Sequence, residues 1–494
     1  MASNPDRART GALAVAAIAA TAVLAFVGTG LHPLAWATWL APLPVLLVAP
    51  RLSARAAFAA SAFAWLLGGS NEWTYVAPIL FAGHGGPPFV IRLLAVTLIF
   101  AGPAVGFGLV VALWRRLVLR SAPGLAVLAA PAAWTGFEYL TSLVSPHGTF
   151  GDLAYEQMDV LPIVQLASAT GLWGVTFCLW LAPAAVAALV WSWSDRRKAS
   201  AVGASVVAAF AVALGFGLWR LQSPPAGGPT VRVGLVASDA PAYVYPSGPG
   251  PDATRTLEAY AAQADALARR GAQVVVLPEK LAVVVDTPAE QDRLFQAVAD
   301  RTGAEIVVGL VHATSATEAP INEARIYAPR AGAPLSYAKQ HLLPGPESPM
   351  RPGRSLLIQR EPTGLWGAAI CKDMDFPDPS RAYGAAGVGL LLVPAWDFVD
   401  DAWLHDRMAV MRGVEHGFPI ARVAKQGLMT VTDDRGRVLA ERSSRATRPF
   451  SYQIADVPGR HERTLYARFG DWFAWLCLAA AALCIAAAAR PRRG

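Results

Sequence analysis

Apolar runs long enough to cross a lipid bilayer fill most of residues 1–222 and return at 471–489. A spanning helix takes about 20 such residues, and lipid tolerates only structures that satisfy their own backbone hydrogen bonds. The candidate spans are 11–30, 34–50, 55–70, 89–114, 122–144, 171–193, 200–220 and 471–489, about eight helices. An apolar fraction of 54% is too high for a soluble enzyme, yet residues 229–465 have ordinary mixed composition. Three parts are therefore expected. Residues 1–222 form a helical membrane domain, 223–465 a large α/β domain, and 466–494 a last transmembrane helix with a basic tail.

Basic residues orient the spans. Arg7 and Arg9 precede the first, Arg51 and Arg55 separate the second and third, and Arg115, Arg116 and Arg120 follow the fourth. Arg196, Arg197 and Lys198 lie between the sixth and seventh, and Arg490, Arg492 and Arg493 follow the last. The intervening loops 70–87 and 145–170 carry no Lys or Arg. This pattern places the N-terminus in the cytoplasm and residues 223–470 on the far side of the membrane. It also accounts for most of the net charge of +7, and without a basic stripe interleaved with aromatics nothing calls for nucleic acid.

The segment SPPAGGP, 223–229, reads as a linker. Beyond it, short β-branched runs alternate with helical stretches: VRVGLVAS, a helix over 251–270, AQVVVLPE, a helix over 288–302, then AEIVVGLVHA and ARIYAPR. LWGAAIC, VGLLLVPAW, a helix over 401–416, PIARVAKQG and LMTVTDD follow. Buried strands alternating with helices specify a layered α/β domain.

Within it, chemistry is concentrated at the strand ends. The chain has four cysteines, and Cys178, Cys477 and Cys484 lie in apolar runs; Cys371, in AAICKDMDFP, has no soluble disulfide partner. It is either a buried small hydrophobe or a working thiol. The chain also has only five lysines, of which Lys280, Lys339, Lys372 and Lys425 each fall beside a strand end of the soluble part. Glu279, Lys339 and Cys371 together supply what acyl transfer needs. A carboxylate takes the thiol proton, a thiolate attacks, and an ammonium lowers the thiol pKa and holds the oxyanion. Glu347, in GPESP, can orient the lysine or the base. Lys372 reads first as an ion-pair partner of Asp373 or Asp375, and Glu138 either as a functional intramembrane carboxylate or as a helix-to-helix hydrogen-bonding group. No HExxH or CxxC pattern supports a metal.

The motifs LPE, YAKQHLLPGPE and a strand ending in Cys resemble the carbon–nitrogen hydrolase (nitrilase) superfamily. PAAWTGFEYL, LAYEQMDVLPIVQLASATGLWGVTF and RTLYARFGDWFAWL narrow the resemblance to the apolipoprotein N-acyltransferase family of the bacterial envelope. This resemblance implies an α-β-β-α sandwich carried on a polytopic helical bundle in the inner membrane, with the catalytic domain periplasmic and no cofactor. It implies Glu279 as base, Lys339 as oxyanion lysine, Cys371 as nucleophile, and Glu347 and Asp373 in support. Asn322 and Trp403, the latter in a mobile loop, are implied on the substrate side, and substrate contact is the second reading of Lys372, which stands directly after the cysteine. The donor would be a phospholipid acyl chain and the acceptor the N-terminal amine of a diacylglyceryl-cysteine lipoprotein. Lys372, the segment KQGLM (425–429) and the arm SDAPAYVYPSGPG depart from the family pattern around the acceptor pocket. Two other readings stand beside this one: a membrane-tethered amidase that uses the same three residues with water as acceptor, and a non-catalytic scaffold with a decayed hydrolase domain.

Overall fold

The computed structural model describes residues 5–81, 88–223, 229–285, 289–313, 318–445 and 449–491. Most of the expected linker over 223–229 lies outside these residues, as does position 288 at the start of an expected helix. The chain divides into two compact units, one comprising Met1–Ser145, Gly151–Gln222 and Asp471–Gly494, the other Pro146–Phe150 and Ser223–Gly470.

The first unit is helical. Among its described residues, five helices are long and apolar enough to cross a membrane: Asp6–Gly28, Phe89–Val118, Leu172–Ser192, Arg196–Gln222 and Trp472–Ala489. Pro123–Val144 is a further helix of 22 residues. The expected span over 34–50 is not one helix but two of six residues each, Ala35–Leu40 and Leu43–Val48. Pro42 and Pro44 sit at the break, where a ring in place of an N–H donor stops one helix and opens the next. The expected span over 55–70 is a 15-residue helix, Ala54–Gly68. Glu138 is buried and fully engaged, accepting hydrogen bonds from Trp134 Nε1 at 2.8 Å, Leu153 N at 3.0 Å and Thr176 Oγ1 at 2.8 Å. Its bond to Thr176 joins two helices.

The second unit contains thirteen strands among its described residues: β1 (Thr230–Ala237), β2 (Val274–Val276), β3 (Val283–Val285), β4 (Glu305–Ala313), β5 (Ile321–Tyr327), β6 (Leu335–Ala338), β7 (Ile358–Glu361), β8 (Gly364–Ala368), β9 (Val388–Trp396), β10 (Ile420–Lys425), β11 (Leu428–Thr432), β12 (Val438–Ser443) and β13 (Ser451–Pro458). They form two sheets, ordered β13-β1-β2-β4-β5-β6 with β3 beside β4, and β12-β11-β10-β9-β8-β7. The two-residue period of each strand decides its layers. Val231, Val233 and Leu235 of β1, Val274 and Val276 of β2, Leu390 and Leu392 of β9, and Val423 of β10 meet between the sheets. The alternate residues Val236, Val275 and Ile306 face the helices Pro251–Arg269 and Ala289–Thr302. On the other sheet Leu391, Val393 and Ile420 pack with Ala409 of helix Ala402–His416. The result is an α-β-β-α sandwich whose catalytic candidates all lie at strand ends.

One close approach sets the first of those ends. A Cβ on Gly309, in β4, would lie 2.4 Å from the Pro278 carbonyl oxygen and 2.6 Å from Glu279 Cα. Only glycine lets the chain carrying Glu279 pass that near. Gly309→Ala is therefore expected to lower the thermal midpoint of the purified protein by several degrees, about 2 kcal/mol of overpacking. Gly332→Ala, at a position where a Cβ would meet nothing within 4 Å, should leave the midpoint within a degree or two.

Candidate active site

Glu279 follows β2, Lys339 follows β6 and Cys371 follows β8. Lys339 is almost completely buried, at 2% exposure. Its ammonium donates to Glu279 Oε1 at 2.8 Å and straddles both oxygens of Glu347, at 3.2 Å to Oε1 and 3.0 Å to Oε2. Burial works against that charge, but Glu279, the Cys371 thiol and Glu347 together outweigh it, so the Lys339 pKa lies well above its ordinary value. Glu347 is buried as well, which would raise its pKa, but Lys339 and Lys280 pull it down to about 2. Both groups are therefore charged at neutral pH.

Cys371 is half-buried against the inter-sheet core, and its Sγ lies 3.4 Å from the Trp396 carbonyl oxygen, to which it donates. Burial first, and then the Glu279 carboxylate, push its thiol pKa up, while Lys339 pulls the other way. The resting thiol thus keeps its proton at neutral pH. Among the described residues the hydrogen bonds to Glu279 fall on Oε1, from Lys339 and Asn322.

The backbone at these positions is unusual. Cys371 has φ +44°, Lys280 φ +50° and Gln426 φ +50°. Left-handed conformations at side-chain-bearing residues cost of order 1 kcal/mol or more each and persist where surrounding contacts hold them. Asp373 provides such contacts. It is fully buried, and its Oδ2 accepts from Ile370 N at 3.0 Å and the Tyr337 hydroxyl at 2.8 Å. Its Oδ1 accepts from Gln340 N at 3.0 Å and His341 N at 2.8 Å. One carboxylate thus ties the turn that presents Cys371 to the segment that presents Lys339.

Three residues expected on the substrate side have the following surroundings. Asn322 is completely buried, and its amide nitrogen donates to Glu279 Oε1 at 2.5 Å and Glu347 Oε1 at 2.8 Å. It bridges the carboxylates from within β5, because two anions that close need a shared donor. Lys372 is 4% exposed, paired with Asp375 at 2.9 Å and 3.1 Å from His147 Nδ1. Trp403 stands not in a loop but in the first turn of helix Ala402–His416, with the Arg407 guanidinium 5.8 Å from its ring centroid. Asp401 opens that helix, accepting from Phe398 N at 2.9 Å and placing a negative charge where the helix dipole favours one.

Other members of the group carried weaker signals in the sequence. Lys280, next to Glu279, donates to Glu347 Oε1 at 2.6 Å. Arg422 grips Asp397 with two bonds, at 3.0 and 2.5 Å, beneath the strand end that faces Cys371. Lys425 is fully buried, donates to the carbonyls of Val244 at 2.7 Å and Lys280 at 3.1 Å, and lies 4.1 Å from the Trp396 ring centroid. Burial brings its pKa down to about 7. Among the described residues no group of three or more His, Cys, Asp or Glu side chains has the arrangement of a metal site.

The two-sheet sandwich that carries this carboxylate–ammonium–thiol group is matched over residues 242–464 by the sequence model of the carbon-nitrogen hydrolase family. Residues 18–182 match the apolipoprotein N-acyltransferase N-terminal domain. The apolipoprotein N-acyltransferase of Gloeobacter violaceus is 30% identical over 431 residues, covering 78% of this chain and 77% of its own. That of Geobacter metallireducens is 27% identical over 504 residues, covering 94% of this chain and 93% of its own. Among solved structures, an amidase from Nesterenkonia aligns with a TM-score of 0.39 and 23% identity, over 49% of this chain and 94% of that one. The chain belongs to the apolipoprotein N-acyltransferase family and is an acyltransferase.

Two outcomes follow from the site's geometry. Asp373→Ala leaves buried donors unpaired and should cost about 3 kcal/mol, read as a drop in thermal midpoint with slower alkylation of Cys371. Glu347, held near 2 in the folded state, contributes stability that is complete above the ordinary carboxylate pKa and is lost as pH falls from about 4.5 towards 2. Thermal midpoints taken across that range should fall in the wild type and fall less in Glu347→Gln.

Proposed function

We propose that this chain moves an acyl chain from a phospholipid onto Cys371 as a thioester and then to the N-terminal amine of a diacylglyceryl-cysteine lipoprotein. The observation that carries the reading is the Lys339 ammonium, buried, hydrogen-bonded to Glu279 at 2.8 Å and near enough to the Cys371 thiol to act on its charge. In the first half-reaction Glu279 takes the thiol proton as Sγ bonds to the ester carbonyl carbon. The oxyanion is held by Lys339. The carbon–oxygen bond then breaks, Glu279 returns the proton to the departing alkoxide, and a lysophospholipid leaves. In the second, the acceptor's neutral amine attacks the thioester carbonyl and Glu279 takes a proton from the nitrogen. The carbon–sulfur bond breaks and the thiolate recovers its proton. Each step has one base and one cation in reach and needs no further group.

Topology supports the same reading. The five long helices, Pro123–Val144, Ala54–Gly68 and the broken segment 35–51 make about eight crossings. All but the last precede residue 223, so with the basic residues cytoplasmic the catalytic unit is extracytoplasmic, where a bacterial lipoprotein matures in the inner membrane. A donor that never leaves the bilayer explains why a hydrolase-like unit is borne on a membrane bundle.

The test supplies phospholipid in mixed micelles with a synthetic diacylglyceryl-cysteine peptide bearing a free or an acetylated N-terminus. The free amine should be acylated with release of one lysophospholipid per product, and the acetylated peptide should be inert. Cys371→Ala should lose at least about a thousandfold in rate. Glu279→Gln and Lys339→Met should each lose about 10²- to 10³-fold. Free fatty acid in place of acylated peptide would instead indicate water as acceptor, the amidase-type outcome.

A further inference from the structure

Lys280 stands outside the three residues that the reaction uses, yet it is built into their support. Its ammonium is 2.6 Å from Glu347 Oε1 and 3.8 Å from Glu279 Oε1, on a side chain only 11% exposed. It gets there through a left-handed backbone, φ +50°, and its own carbonyl accepts from the buried Lys425 ammonium at 3.1 Å. A lysine placed for surface solubility would need neither the strained turn nor the buried donor that holds it.

The charge balance shows what Lys280 does. Two carboxylates, Glu279 and Glu347, share two ammonium groups, and Asn322 bridges the anions. Glu347 touches both Lys280 and Lys339, whereas Glu279 has Lys339 as its close cation and Lys280 farther off. Without Lys280, Lys339 would be the lone close cation for both anions. It would be drawn towards Glu347 and away from Glu279 and the thiol.

We infer that Lys280 is a positioning residue: by neutralising Glu347 it leaves the Lys339 charge to Glu279 and to the oxyanion formed at Cys371. This rests on the three-residue site proposed above, but its test needs neither lipid nor acceptor. The titratable groups around Lys280 are Glu279, Glu347, Lys339 and Lys425, and those around Cys371 are Glu279, Lys339, Asp397 and Arg422.

Below its pKa a thiol alkylates in proportion to its thiolate fraction, so the rate of iodoacetamide addition to Cys371 at pH 8 reads the cation beside it. Peptide mass spectrometry of the full-length, detergent-purified protein separates Cys371 from the cysteines of the bundle. Lys280→Met should slow the reaction roughly three- to tenfold, an upward shift of about half to one pKa unit. Lys280→Arg, which keeps the charge, should stay within about twofold. The discriminating measurement is made in Glu347→Gln, where Lys280→Met should have less than about a twofold further effect, because the anion it neutralises is gone. An equal slowing in both backgrounds, or none in the wild-type background, overturns the inference. Should Lys280→Met fail to fold, recovery of folding in the Lys280→Met/Glu347→Gln double variant supports it, and failure of the double variant as well overturns it. A protein that alkylates as expected yet forms no thioester from phospholipid would refute the proposed function and leave this assignment standing.

Discussion

The catalytic unit depends on one buried cation. Taking an ammonium out of water costs several kcal/mol even after relaxation, and only close anions with good geometry offset it. Lys339 has both, with Glu279 on one side and Glu347 on the other. Such a cluster is poor evidence of stabilisation, since apolar residues of the same volume often do as well. In the proposed reaction its value is chemical: a fixed positive charge, sheltered from water, beside a thiol that becomes an anion and a carbonyl that becomes an oxyanion. Burial makes that charge effective at the same time as it makes the unreacted thiol hold its proton. On that mechanism a carboxylate base is the consequence.

Much of the surrounding structure can be understood as holding that geometry. Gly309 lets the Glu279 segment lie against β4. Asp373 binds the Cys371 turn to the Lys339 segment through four hydrogen bonds. Three side-chain-bearing residues in left-handed conformations, Lys280, Cys371 and Gln426, lie where strands give way to the site. Strain concentrated there and absorbed by a well-packed inter-sheet core fits a site that must be rigid before substrate arrives.

The sequence made the layered α/β plan legible because β-branched runs such as Val274–Val276 alternate with helical stretches, while the split of Val274 and Val276 from Val275 between the two faces carries no signal in a run of identical residues. Glu279, Lys339 and Cys371 stood out as candidates because lysine is scarce and because Glu279 and Cys371 each end an apolar run. Short or exposed strands such as β7 and β12 were missed, since half-exposed residues carry little periodic signal. The broken segment 34–50 was read as continuous because its composition is apolar throughout, although Pro42 and Pro44 interrupt the backbone bonding. Asn322 was set on the substrate side by resemblance alone, whereas Lys372 was read first as an ion-pair partner of Asp373 or Asp375 and pairs with Asp375. Pattern cannot say whether a polar side chain at a strand end turns outward or inward, and here both turn inward to anions.

The most direct test of this account is the mass of the enzyme itself after incubation with phospholipid and no acceptor. The account predicts one added acyl chain, located on the Cys371 peptide, removed by hydroxylamine and missing from Cys371→Ser. An unmodified Cys371 in enzyme that still transfers acyl chains to a peptide amine would contradict it.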